Sequence, residues 1–342
     1  MALNFMQTLK MKVLTLNCWG VPVPVIGGKL RKERINAIGK ELANGEYDVV
    51  LLQEIWTQHD YNTLCAKVLT IMPYTHYFHR QLHADYMKCH GDYNGHRIAQ
   101  AFELSQVVKN TSDGCDVVIL GGDFNYCPDE VGCKIIMYNG NLKDAWLSQK
   151  RKVEDDTEGT TCDRHDNSFT MATCQDNKSP GSRLDYLMYR NNADYTMDCE
   201  DCHVTMQKVP GESYNYSDHL GVMAEFVIRR NITAAAKIRE TGEIEKNLTE
   251  ALPIIDKGLQ KIKSNQVFFV VSMFFCLVAL VFTSDIASSW TMWGVIIGIF
   301  RTFLTVAIAF LVWNVLILSK IEWAGLTAAK KDINNLLKSN PA

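Results

Sequence analysis

The sequence predicts a mixed α/β domain built on a layered sheet, followed by a two-helix hairpin long enough to cross a membrane. Three observations carry this. Short β-branched runs alternate with amphipathic stretches through the first two thirds of the chain, three of those runs end in small polar motifs while a fourth follows one, and two long apolar stretches lie near the end.

Residues 13–17 read as a short buried strand and residues 49–54 as a second. Between them, Ile35, Ile38 and Leu42 recur at helical spacing within residues 31–43. This β–α–β pattern implies neighbouring parallel strands with a helix over the sheet. Ile98, Ala101, Phe102, Ser105 and Val108 mark another amphipathic helix, and residues 117–122 a third buried strand. Further strands are expected at 184–189 and 222–228. Mixed strands and helices in this order give a layered α/β or α+β domain over residues 11–228.

From Arg229 the composition changes. Ile244, Leu248, Leu252, Ile255, Leu259 and Ile262 recur at helical spacing among charges, so residues 229–265 read as a helical stalk that Pro253 kinks or splits. Residues 266–319 hold the two apolar runs, about 267–283 and 295–318. About 20 apolar residues span a bilayer core, so both can cross, the first with help from its flanks. Arg301 lies about two turns inside the second and can snorkel towards an interface. Trp290, Trp293, Trp313 and Trp323 suit interfacial depth. Lys257, Lys261 and Lys263 precede the hairpin, and Lys320, Lys330 and Lys331 follow it. The positive-inside rule therefore places the main domain and the helical tail, residues 320–342, on the cytosolic side. The expected protein is multi-pass, in the endoplasmic reticulum or plasma membrane, with the bilayer as a partner. Residues 1–12 lack the apolar run and cleavage site of a secretory signal.

A net charge of −3 and a pI near 6.3 supply no broad basic surface, so nucleic acid is not expected as a partner. The eleven cysteines show no zinc-ribbon spacing and read as reduced, mostly buried residues.

Four motifs carry the chemistry. Asn17-Cys18-Trp19-Gly20 ends the first strand, Gln53-Glu54 the second and Gly121-Gly122-Asp123-Phe124-Asn125 the third, while Ser217-Asp218-His219 precedes the last. Singly, each is an ordinary turn. Together they form a hard-metal phosphoesterase set. Mg²⁺ prefers oxygen ligands and keeps several waters, so few protein donors suffice; Glu54, Asn17 and Asp218 are the candidates. His219 is the natural general base, because an imidazole titrates near neutrality. Asp185, at the start of a strand, is the carboxylate expected to fix its tautomer. Asp123 and Asn125 are two apart in extended backbone and share a face, where they can orient water and hold a phosphate oxygen.

The ordered set Asn17, Glu54, Asp123-Phe124-Asn125, Arg183-Leu184-Asp185-Tyr186 and Asp218-His219 resembles the endonuclease/exonuclease/phosphatase superfamily, the DNase-I-like fold. Residues 13–20, 48–54, 82–86 and 96–103, with the hairpin, are similar to the neutral sphingomyelinases. The resemblance implies a DNase-I-like β-sandwich flanked by helices and Mg²⁺-dependent hydrolysis of sphingomyelin, or a related choline phospholipid, to ceramide and phosphocholine. It makes Glu54 the Mg²⁺ ligand and His219 the proton acceptor, with Asp123 and Asn125 around the phosphate. The alternatives are an inositol polyphosphate phosphatase, an abasic-site endonuclease, or an inactive membrane-tethered binding module.

The middle of the chain departs from that family. Glu54 and His83 are 29 residues apart, whereas relatives carry a Gly-rich strand and further strands there. Aligned on Leu82-His83-Ala84, the family's proton-donating histidine falls on Gln81. A splice isoform or an incomplete gene model accounts for the gap better than a sheet that re-closes. Weak or absent activity and reduced stability are therefore expected.

Overall fold

The computed structural model describes residues 8–22, 28–78, 93–151, 158–230, 241–284 and 292–339. Gln81, His83 and the Phe78–Leu82 junction fall partly or wholly outside them. The chain forms two compact units, residues 1–83 with 104–244 and residues 84–103 with 245–342.

The first unit begins with β1 (Thr8–Asn17), α1 (Arg31–Asn44), β2 (Val49–Gln53) and α2 (Gln58–Val68). After α3 (Asn94–Thr111), which starts in the second unit, come β3 (Val117–Asp123), α4 (Val131–Asn139), β4 (Lys143–Asp144), α5 (Ala145–Ser148) and α6 (Ala172–Asp176). It ends with β5 (Asp185–Asn191), β6 (Tyr195–Thr205) and β7 (Gly221–Arg230). One sheet has the order β2-β1-β7-β6 and the other β3-β5-β4. β1 and β2 are parallel, as the β–α–β pattern requires.

Period-two alternation along β1 and β7 builds two apolar layers. Val13, Val222, Ala224, Phe226 and Ile228 face Leu187 and Tyr189 of the second sheet and fill the sandwich. Leu14 and Leu16 point the other way, onto Ile35, Ile38 and Leu42 of α1 and Leu64 and Val68 of α2. The Thr57 hydroxyl caps α2 by accepting from the Asp60 N–H at 3.1 Å, and Arg31 pairs with Asp60 to tie the two helices together.

The structure corrects the reading of β2 and β3 as buried strands. Each has only one strand neighbour among the described residues, so Val49–Gln53 is half-buried throughout and Val117–Gly121 likewise. Both edges lie on one side of the sandwich, where the Leu51 side chain closes on Gly121. Runs of Val, Leu and Ile of this kind belong to strands with neighbours on both sides.

In the second unit, α7 (Thr241–Phe282) runs without a break through Pro253 and into the first apolar run. The stalk and the first candidate span are thus a single 42-residue helix. α8 (Met292–Trp313) is the second candidate span, and a π-helical turn (Asn314–Leu318) joins it to α9 (Ser319–Ser339). Side chains bond the backbone around that turn: Asn314 Nδ2 donates to the Phe310 carbonyl and Ser319 Oγ to the Asn314 carbonyl, each at 2.8 Å. α9 folds back along α7 through an Asp256–Lys330 ion pair and Lys263 over the Trp323 ring. Phe268, Phe275, Phe282, Trp293, Phe303 and Phe310 are all exposed, which suits lipid and not water. Arg301 Nη1 donates at 3.2 Å to the Leu280 carbonyl, in the last turn of α7, where backbone acceptors lack helical partners.

Candidate active site

Both sheets deliver functional side chains to one end of the sandwich. Asn17 ends β1 beside Gln53, which ends β2, and Glu54 follows at once. Asp123 ends β3 directly opposite Asp185, the first residue of β5. Gly221 opens β7, two residues after His219. Gly20 is required here: a Cβ at this position would lie 2.3 Å from the Glu54 carbonyl oxygen, which instead accepts the Gly20 N–H at 3.0 Å.

Two hydrogen-bonded groups meet at Asp123. On one side, Asn17 Nδ2 donates at 3.1 Å both to Glu54 Oε1 and to Asp123 Oδ2, while Trp56 Nε1 donates to Glu54 Oε2 at 3.4 Å. On the other, His219 Nδ1 lies 2.8 Å from Asp185 Oδ2, and its Nε2 faces Asp123 Oδ2 at 3.9 Å. Asn125 folds back on the same carboxylate, its backbone N–H reaching Asp123 Oδ1 at 2.9 Å and its Nδ2 reaching Oδ2 at 3.2 Å. Of the seven residues expected at the site, six belong to these groups. Asp218 stands beside them: its carboxylate accepts from Ser217 Oγ at 3.2 Å, and the Glu54 charge reaches it.

The electrostatics follow from crowding acids in a dry place. Burial, then the facing Asp185, pushes Asp123 up to about 6, against the pull of His219. Burial also raises Asp218, with Glu54 adding to it. For His219, burial acts downwards, but the Asp185 carboxylate and the Cys162 thiol overcome it and hold the imidazole well above its ordinary value. The backbone is strained at the same place. Trp19, Glu54 and Asn125 have φ of 45°, 57° and 54°, a region that side-chain-bearing residues seldom occupy.

The donor set fits a hard divalent cation. Asn17 and Glu54 offer only amide and carboxylate groups, and the Asn17 amide already sits between two carboxylates, where positive charge is favoured. Asp123, Asp185 and His219 also bring one ligand atom each within 4.8 Å of one another. The 2.8 Å contact between Nδ1 and Oδ2 leaves no room for an ion between those two, so this group reads as a hydrogen-bonded relay.

Sequence reasoning missed the residues that hold the site together. Thr161, fully buried, donates to Asp185 Oδ2 at 2.6 Å; nothing in the string Gly159-Thr160-Thr161 distinguishes it. Asn167 Nδ2 holds the carbonyls of Ser217 and Asp218 at 3.0 and 3.2 Å. Arg34 lies buried behind Cys18 and Trp19.

Residues 14–219 match the family described as Endonuclease/Exonuclease/phosphatase family. A putative neutral sphingomyelinase of Caenorhabditis elegans is 29 % identical over 98 % of this chain and 93 % of its own length. That alignment spans 409 positions, 67 more than the chain has residues, so the relative carries internal sequence that this chain lacks. Human sphingomyelin phosphodiesterase 2 is 25 % identical, over 66 % of each chain. An inositol phosphosphingolipids phospholipase C of Schizosaccharomyces pombe is 26 % identical over 62 % of this chain and 67 % of its own. With the match covering more than half of the sequence, the chain belongs to the endonuclease/exonuclease/phosphatase family.

Proposed function

We propose that this protein is a membrane-anchored, Mg²⁺-dependent phosphodiesterase that hydrolyses sphingomyelin to ceramide and phosphocholine. The single observation that supports it most is the Asp185–His219 pair facing, across Asp123, the oxygen set of Asn17 and Glu54. The names of the relatives supply the substrate class.

Each residue then has a task. Asp185 accepts the Nδ1–H of His219, which leaves Nε2 as the basic nitrogen. A water between Nε2 and the phosphorus loses its proton to Nε2 as its oxygen forms the new P–O bond, and the bond from phosphorus to the ceramide oxygen breaks. Asn125 and Asp123 orient the water and a non-bridging oxygen. Asn17 and Glu54, with Asp218 at hand, would hold the cation, which neutralises phosphate charge. The departing oxygen needs a proton donor. The family histidine for this falls on Gln81, so turnover by this chain is expected to be far below that of its relatives.

Anchoring follows from α7 and α8, with the catalytic domain cytosolic and the membrane that of the endoplasmic reticulum or the cell surface. The second reading, an inositol-bearing head group, is favoured by the names of two yeast relatives.

The test is hydrolysis of labelled sphingomyelin, an inositol phosphosphingolipid and abasic DNA by the purified chain, with Mg²⁺ and with EDTA. Slow, Mg²⁺-dependent release of phosphocholine, abolished by His219→Ala, is the expected result. Release of inositol phosphate in its place selects the second reading. Cleavage of DNA would sink both, and no turnover of any substrate would favour a tethered binding module.

A further inference from the structure

Arg34 is among the largest side chains with no solvent exposure at all, a costly position for a charge. It occupies the first turn of α1, yet its bonds run to the two loops that carry the site. Nη1 donates to the Cys18 carbonyl at 2.8 Å and the Tyr216 carbonyl at 3.3 Å, and Nη2 to the Trp19 carbonyl at 2.8 Å. Nε donates to the Lys29 carbonyl at 2.9 Å. The guanidinium carbon lies 4.7 Å from the Trp19 ring centre and 5.4 Å from that of Phe169. Phe169 is two residues from Asn167, which itself grips the Ser217 and Asp218 carbonyls.

Carbonyl dipoles and aromatic faces stabilise the buried guanidinium together with the field of the nearby Asp218 carboxylate, and a planar fork is the side chain that can reach several carbonyls at fixed angles. Cys18 and Trp19 follow Asn17, and Tyr216 precedes Asp218 and His219. One rigid side chain thus spans the cation side and the imidazole side of the site from behind. It touches no reacting atom.

We propose that Arg34 is a positioning residue: its guanidinium fixes the spacing between the Asn17–Glu54 oxygen set and the Asp218–His219 loop, and so sets the affinity for the divalent cation. This rests on the metal-site reading above, and the experiment separates the two. The idea also makes a prediction distinct from simple electrostatics. A positive charge here repels a cation but also attracts the Asp218 carboxylate, so Arg34→Met mixes two charge effects; if Arg34 acted through charge alone, Arg34→Lys would leave binding unchanged. If it acts by geometry, both variants weaken binding.

Mn²⁺ binding to the full chain in detergent micelles, followed by electron paramagnetic resonance of the free ion, reads this out without any turnover. Glu54→Gln is measured alongside as the check on the metal site itself. Loss of about 10-fold or more in Mn²⁺ affinity in both Arg34→Met and Arg34→Lys, at unchanged far-ultraviolet circular dichroism, is the expected result, in line with other outer-shell partners of metal ligands. Wild-type affinity in Arg34→Lys, or tighter binding in Arg34→Met, overturns the proposal. If Arg34→Met does not fold, Arg34→Lys decides alone, because it keeps the charge and loses the fork. Unchanged binding in Glu54→Gln, or no saturable binding by the wild-type chain, overturns the metal-site reading and the proposal with it.

Discussion

A single oxygen, Asp185 Oδ2, receives both the Thr161 hydroxyl at 2.6 Å and the His219 imidazole at 2.8 Å. Asp185→Asn removes the charge that counters burial at His219, so the imidazole should titrate at lower pH. The acid limb of the pH–kcat profile is expected to move downwards while kcat falls by about 10²–10⁴-fold, as when a triad carboxylate is lost. An unshifted limb would show that His219 is not the titrating base. Thr161→Val should cost about 1–3 kcal/mol in thermal or urea unfolding, since the buried carboxylate loses a donor. The metal-free protein should also respond to pH with a defined sign. Asp123 has a folded pKa of about 6, above that of an unfolded carboxylate, so its ionisation works against the fold as pH rises from about 4 to about 6. His219 is raised as well, and its contribution is complete below the unfolded value and lost as pH climbs through the folded one. Melting temperature in EDTA should therefore fall as pH rises from about 4 through the Asp123 value and onward through the raised value of His219, and Mg²⁺ should flatten the slope. The acids and the imidazole were legible in the sequence because their types and order are specific. Thr161, Asn167 and Arg34 were not, because their roles are bonds to backbone or to a neighbour far along the chain.

Strand and helix positions were legible wherever period two or period 3.6 was clean, as at residues 13–17 and 31–43. β6 was missed because acids interrupt it: Asp198, Glu200 and Asp201 sit among buried Met197, Cys199 and Cys202, and the register shifts between Cys199 and Asp201. A bulge breaks the alternation that a sequence pattern relies on. Pro253 predicts a kink or a split in the stalk; the helix continues past it, so it is not split there, and long neighbouring helical stretches outweigh one missing N–H. The edge strand β2 makes its own prediction. Among the described residues its free edge, beside Val49, Val50, Leu51 and Leu52, has no strand partner and no charge to discourage pairing. Val50→Lys should lower concentration-dependent association of the chain, measured by light scattering in detergent, and also lower the melting temperature, because Val50 packs against the core that holds Leu14 and Leu16.

At the scale of the molecule, β2 and β3 leave both sheets open on one side among the described residues, and the exposed Tyr74 and Phe78, 96 % and 81 % accessible, lie on the segment that follows α2. The Caenorhabditis elegans relative has at least 67 internal positions without a counterpart here. Inserting its intervening segment between Phe78 and Leu82 is expected to raise both melting temperature and phosphocholine release. A chimera no more stable and no more active than the parent would show that the sandwich is complete as it stands. The short spacing between Glu54 and His83 could be read from the sequence; that β2 and β3 each have one strand neighbour among the described residues could not, because strand order is a property of the folded sheet.

Glu54 sits at a φ of 57°, a shape that asparagine accepts readily and glutamate resists by about 1 kcal/mol. Exchange of Glu54 for asparagine should therefore make the ion-free protein slightly harder to melt. Drift at this codon would run downhill in folding energy once catalysis no longer mattered. If the Glu54 carboxylate holds the ion as proposed, that gain should reverse once Mg²⁺ is added, because asparagine at this turn gives up the charge the cation needs.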